Sequence, residues 1–137
     1  ARTGTQAYLL GGTRDGKLFN DVWLLRLSSQ GVSWSLVSEH QEPTRSDMGG
    51  AVTSSKWAGR RRFSAAAASV VGGRYAVYVC GGHGRSKMFE DFWASEDSGV
   101  TWYCMCQSPP WGARAEPALI TVPGHYEQLV LSGGMIQ

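Results

Sequence analysis

The sequence predicts an all-β fold assembled from repeated units of four antiparallel strands. Eighteen glycines stand beside six Trp, five Tyr and four Phe in 137 residues, a balance that favours short strands joined by tight turns. The stretch YLLGGTRDGKLFNDVW (8–23) recurs as YVCGGHGRSKMFEDFW (78–93), each an apolar run, Gly-Gly, a six-residue polar loop (13–18 and 83–88) and then aromatic, acid or amide, Asp, apolar, Trp. In both copies the tryptophan stands eleven positions after the second glycine, Gly12 to Trp23 and Gly82 to Trp93. A second tryptophan follows each block, Trp34 in GVSW and Trp102 in GVTW. Matched spacing across several markers is the signature of an internal repeat.

The complete unit spans residues 60–107. Strand A is RFSAAAASVV (62–71), turned by Gly72-Gly73; strand B is RYAVYVC (74–80), ending at Gly81-Gly82. Strand C is FEDFWAS (89–95) and strand D is GVTWYCMC (99–106). Strand B carries apolar residues on both faces, as a sheet held between two neighbouring sheets requires. The alanine run of strand A reads in isolation as helix, but its valines and Gly-Gly turn favour a strand, and small side chains suit a crowded inner position. Residues 1–40 supply strands B to D of an earlier unit, and 41–59 form a long connecting loop. Residues 108–137 supply strands A and B of a third unit, with its own Gly133-Gly134 in LVLSGGM. The run KWAGRRRFSA before the second unit is matched by PWGARAEPAL before the third, pairing Trp57 and Arg60 with Trp111 and Arg114.

These markers resemble the kelch-repeat β-propellers, whose blades carry a Gly-Gly closing the second strand, an aromatic and Asp-x-Trp step in the third, and a spaced Trp in the fourth. Gly81, Gly82, Phe89, Trp93 and Trp102 fill those positions in one blade, and Gly11, Gly12, Phe19, Trp23 and Trp34 in another. The resemblance covers all but about residues 41–56. It implies propeller blades, parts of about three, where closed propellers hold four to eight. A fragment of a longer propeller, or a partial one completed by another chain, is therefore expected. Two features depart from the family: Arg62 fits its Arg-x-x-His start of strand A only loosely, and the first repeat interval is 70 residues against 52 for the second.

The stretch SEDSGVTW also resembles the Asp-box of sialidase-like propellers, in which the motif is a fold element. Asp97 is expected to accept backbone N–H groups of the turn, Gly99 to take a positive φ, and Trp102 to pack beneath the hairpin. The acids nearby do not make a glycosidase pair. Glu90 and Asp91 begin strand C and Glu96 and Asp97 end it, about 20 Å away at roughly 3.3 Å per residue, whereas such pairs stand roughly 5–9.5 Å apart. No catalytic residue, metal ligand set or cofactor is expected: His40, His83 and His125 are scattered, and no P-loop, nucleophile elbow or CxxC occurs. Three cysteines, Cys80, Cys104 and Cys106, give no closed disulfide framework and are expected as reduced, mostly buried thiols.

A net charge of +2 gives no argument for nucleic acid, and no apolar run approaches the roughly 20 residues of a bilayer span. Compartment is left open by the sequence. The functional hint lies in the placement of cations. In a four-stranded meander the B–C and D–A connections share one edge, and they hold Arg14, Lys17, Arg85, Lys87, Arg45, Lys56, Arg60, Arg61, Arg62 and Arg114. The other edge holds Glu96, Asp97 and Arg74. A protein-interaction module is expected, with Arg60, Arg62, Arg85, Arg114, Trp57 and Trp111 contacting an acidic segment of a protein partner, since Arg and Trp concentrate at binding hot spots. The alternatives are part of a carbohydrate-active or glycan-binding propeller, sialidase-like or galactose-oxidase-like, and a structural subunit whose open blade edges are covered by neighbours or further blades.

Overall fold

The computed structural model describes residues 5–42, 55–123 and 128–136. Among them there is no helix, and nine strands form three antiparallel sheets. The first sheet is β1 (Thr5–Arg14), β2 (Lys17–Ser28) and β3 (Gly31–Ser38), in that order. The second is β4 (Ser64–Ser69), β5 (Tyr75–Cys80), β6 (Phe92–Ser95) and β7 (Tyr103–Cys106). The third is the pair β8 (Ala118–Val122) and β9 (Gln128–Ser132). Each sheet is a meander in sequence order and none closes on itself. The connecting loop read over 41–59 lies mostly outside the described residues, as do Arg45 and His125.

The alanine run is a strand: Ser64 to Ser69 pair in unbroken register with Cys80 to Tyr75. Its small side chains allow β8 to lie alongside, where Leu119 N donates to Ser64 Oγ (3.0 Å) and Thr121 Oγ1 to the Ala67 carbonyl (3.1 Å). The first hairpin differs from the expected six-residue polar loop. β1 and β2 run on to a two-residue turn at Asp15-Gly16, whose φ angles of 51° and 75° suit the right-handed twist of a hairpin. Accordingly Gly11-Gly12 does not end β1 but sits in a bulge between Leu10 and Gly12.

The core lies between the first and second sheets. Val77 and Val79 of β5, Val22 of β2, Trp93 and Trp102 form one cluster with Trp57, which enters from the inter-sheet segment. Trp57 meets Trp102 edge-on at 5.9 Å and Phe63 at 5.4 Å. The opposite face of β5 buries Ala76 and Cys80, so β5 is covered on both sides as its sequence required. Trp34 departs from its counterpart Trp102: it is 53% exposed against 7% and has no ring neighbour among the described residues. The outer strands β3 and β7 are otherwise exposed along most of their length.

The turn between β6 and β7 docks the second sheet onto the first. Ser95 Oγ donates to Asp97 Oδ1 (2.8 Å) and accepts from Gly99 N (2.9 Å), while Asp97 also takes the N–H and hydroxyl of Thr101. Trp102 Nε1 donates to the Gly99 carbonyl at 2.9 Å, beneath the hairpin. Gly99 has φ +90°, and a Cβ there would stand 3.1 Å from Val22 and close to Val37 and Tyr8 of the first sheet. Partial burial works to raise the Asp97 pKa, but the bonds from Thr101 and Ser95 outweigh it and hold it below the usual value. A depressed carboxylate pKa contributes stability above its unfolded value that is lost as pH falls through the folded one. Asp97→Asn is therefore expected to cost about 1 kcal/mol at pH 7 and distinctly less at pH 3 in urea unfolding; an equal cost at both would remove the charge from the explanation.

The Gly-Gly steps repeat in backbone geometry: φ is 49° and 100° at Gly11-Gly12, 64° and 99° at Gly81-Gly82, and 65° and 95° at Gly133-Gly134. They differ in what surrounds them. A Cβ on Gly81 would collide with the Arg114 carbonyl, whereas one on Gly12 meets nothing within 4 Å. Both alanine variants pay the left-handed strain. Gly81→Ala should cost about 1–3 kcal/mol more than Gly12→Ala, measured by thermal or urea unfolding of the two variants.

Candidate functional site

Beside the second Gly-Gly step a guanidinium lies inside the protein. Arg60 immediately precedes the short bridge Arg61↔His83 that leads into the second sheet, and it has no solvent exposure. Its backbone belongs to the first sheet: Arg60 N donates to the Phe19 carbonyl and its own carbonyl accepts from Gly12 N, both at 3.2 Å. Its side chain belongs to the second. Nη1 and Nη2 reach the two carboxylate oxygens of Asp91 at 2.6 and 2.9 Å, and Nη1 also reaches the Gly81 carbonyl at 3.0 Å. Nε donates to the Ala58 carbonyl at 3.0 Å, and the Phe89 ring lies 3.9 Å from the guanidinium carbon. The forked, charge-assisted pairing fits a planar guanidinium.

Asp91 is thereby fully engaged, because its Oδ2 also accepts from Trp93 Nε1 at 2.7 Å. The same Asp-x-Trp bond recurs in the first sheet, where Trp23 Nε1 donates to Asp21 Oδ2 at 2.8 Å. In a strand, residues two apart share a face, which is why the spacing works. Asp91 is thus a structural anion, not an acid available for chemistry. Glu90 accepts from Ser108 Oγ and Glu96 from Tyr103 OH. Among the described residues no group of three His, Cys, Asp or Glu is placed to hold a metal ion.

Above this anchor a cleft of about 1080 Å³ opens between the first two sheets, lined among others by Lys17, His40, Lys56, Arg85, Lys87 and Glu90. Its charges are not equivalent. Lys17 lies 3.7 Å from Glu42, which His40 Nε2 meets at 3.0 Å; the His40 hydrogen bond is the main cause that holds the Glu42 carboxyl below its usual range. Lys56 is nearly enclosed, with Nζ donating to Ser38 Oγ (2.7 Å) and the Glu39 carbonyl (2.9 Å). Burial pulls its pKa down to about 8, against the opposing pull of Asp21. Arg85 and Lys87 are exposed on the loop that Gly84 N closes onto the Lys87 carbonyl (2.8 Å), and neither has a carboxylate partner among the described residues. Lys17 and Lys87 lie over Phe19 and Phe89 at 5.5 and 5.1 Å, the same arrangement in two sheets.

The six residues expected at a partner surface are not brought together. Arg60 and Trp57 are both wholly buried, so neither can touch a partner; one is the inter-sheet anchor and the other the centre of the core. Lys56, counted among the loop cations, is likewise enclosed. Arg85 alone of the six lines the cleft. Arg62 is exposed, at φ +53°, and pairs with Glu116 at 3.4 Å. Arg114 binds the carbonyls of Gly133 and Trp111, and Trp111, 40% exposed, packs edge-on against Phe92. Sequence reasoning missed the pairing of Arg60 with Asp91. The signal available was the matched Arg60 and Arg114, each standing before a Gly-Gly strand in its repeat.

The thiols also separate. Cys80 is buried and its pKa is raised to about 11 by desolvation, and Cys104 is half-buried with its pKa raised for the same reason. Cys106 is exposed, contrary to the expectation of mostly buried thiols, because β7 is an outer strand. No protein-family model matches the chain, and no curated protein or solved structure does. Maleimide labelling at pH 7 is expected to modify Cys106 first and to reach Cys80 only after unfolding; equal labelling of the two in the native protein would contradict the burial of β5.

Proposed function

We propose that the chain is a run of kelch-like β-propeller blades that serves as a protein-interaction module, taking an acidic segment of a partner in the cleft between the first two sheets. One observation carries this reading. The exposed cations Arg85 and Lys87 on one wall have no carboxylate partner among the described residues, and Lys17 stands on the other wall. Of the acids that line the cleft, Asp91 is paired with Arg60, Glu90 accepts from Ser108 Oγ and Glu42 lies 3.7 Å from Lys17. Unpaired cations focused by a cleft attract and orient an anion, and their contribution weakens with salt. The antiparallel meanders, the recurring Gly-Gly geometry and the alignment of β8 with β4 support the blade reading. The glycan alternative has less behind it, since the aromatic rings Phe19 and Phe89 already lie under Arg14, Lys17 and Lys87.

The test is fluorescence anisotropy with a labelled peptide rich in Asp and Glu. Lys17→Glu, Arg85→Glu and Lys87→Glu combined should weaken binding by about tenfold or more. Arg74→Glu, on the opposite edge, should leave it unchanged. Equal effects of the two changes, or none from the triple variant, would sink the assignment of this cleft.

A further inference from the structure

The two copies of the hairpin at the cleft differ at their tips. Aligned on their Gly-Gly steps, Asp15-Gly16-Lys17 of the first sheet corresponds to Arg85-Ser86-Lys87 of the second. Both tips are closed by the residues on either side of the turn: Arg14 pairs with Lys17, and Gly84 N donates to the Lys87 carbonyl at 2.8 Å beside the His83↔Met88 bridge. The turns themselves differ in backbone, since Asp15 and Gly16 take positive φ and Arg85 and Ser86 do not. The first tip thus sets a carboxylate between its cations. The second replaces that carboxylate with a guanidinium and adds a hydroxyl.

The donors of the second tip are open. The N–H groups of Arg85, Ser86 and Lys87 and the Ser86 hydroxyl have no acceptor among the described residues, and all three residues are exposed on the cleft wall. Successive N–H groups in a turn make an anion-binding concavity. Arg85 adds a fork of five side-chain donors and Lys87 adds three, the latter held over the Phe89 ring at 5.1 Å. The opposite wall carries an anion of its own, Glu42, beside Lys17 and His40, so an incoming anion is drawn to the second-sheet side. A carboxylate has one charge and two oxygens, which a single Arg fork satisfies. A phosphoryl group carries about −1.5 to −2 at pH 7 and three acceptor oxygens. That matches a tip of two cations, a hydroxyl and free N–H groups.

We propose that the tip 84–87 receives a phosphorylated serine side chain carried by the partner's acidic segment. The Arg85 fork takes two phosphoryl oxygens, the Ser86 hydroxyl and the tip N–H groups take the third, and Lys87 supplies the second charge. This assignment rests on the reading of the cleft as an acid-binding site and names the anion that the site selects. It also gives Ser86 a role as a donor at the site, where the first tip has only Gly16.

Fluorescence anisotropy tests it with three labelled acidic peptides, alike except for a central phosphoserine, glutamate or serine. The phosphoserine peptide should bind the intact protein about tenfold or more tightly than the glutamate peptide. Arg85→Lys should close most of that gap, because Lys keeps the charge and loses the fork, and a purely coulombic preference would survive it. Ser86→Ala should weaken the phosphoserine peptide about threefold. The peptide comparison on the unaltered protein stands even if a variant does not fold. Equal binding of the phosphoserine and glutamate peptides would overturn this assignment and leave the acidic-segment reading intact, whereas no binding of any of the three would overturn both. A gap that survives Arg85→Lys would remove the tip from the site. Inorganic phosphate that displaces the phosphopeptide at matching concentration, or a single-stranded oligonucleotide that binds as tightly, would overturn the phosphorylated protein segment as the occupant.

Discussion

A guanidinium sealed from solvent has to be neutralised where it lies, and Arg60 is neutralised by the sheet next to the one that holds its backbone. That single residue fixes two registers at once. Phe19 and Gly12 hold its main chain to the first sheet, and Asp91 and Gly81 hold its side chain to the second. Sheets that meet only through apolar contact can slide, because the hydrophobic effect is non-directional. A guanidinium held by three oriented bonds to the second sheet, two to Asp91 and one to Gly81, cannot be satisfied in a shifted position. Removing one partner would leave the other buried and unpaired, a loss of about 3–5 kcal/mol, which is a large share of the stability of a domain this size.

The rest of the core is arranged around that fixed point. Trp57, three residues earlier in the chain, fills the space between Val22, Val79 and Trp102 and lies 5.9 Å from the Arg60 guanidinium. Gly11 must be glycine for the same reason, since a Cβ there would stand 3.0 Å from the Trp57 ring and 2.8 Å from the Phe19 carbonyl. At the other edge the Asp97 turn presses Gly99 against the first sheet. The two sheets are thus pinned at both ends of their strands, by an ion pair at one and a hydrogen-bonded turn at the other.

Much of the architecture was legible in the sequence, and the reasons are local. Strand order, the Gly-Gly steps, the Asp97 turn and the two-sided burial of β5 follow from alternation, positive φ and turn chemistry, all of which act within a few residues. The Asp15-Gly16 hairpin was equally legible from its dipeptide, but comparison with the second copy favoured a longer loop. The placement of Arg60 and Trp57 was not legible. Arg is usually a surface residue, and its burial depends on Asp91, 31 residues away. The cluster of six proposed contact residues dissolved for that reason: sharing a strand edge says which end of the sheet a residue occupies, and not whether it points into the core. Trp34 shows the converse, a repeat position whose burial depends on a neighbouring sheet and not on its own motif.

The Arg60 bridge is expected to make the first two sheets one cooperative unit. Native-state hydrogen exchange tests it directly. The amides of Val22 and Val79, and that of Gly12, whose acceptor is the Arg60 carbonyl, should open with the same free energy and the same denaturant dependence. Exchange of the first-sheet amides through a separate, lower-energy opening while Val79 stays protected would contradict it.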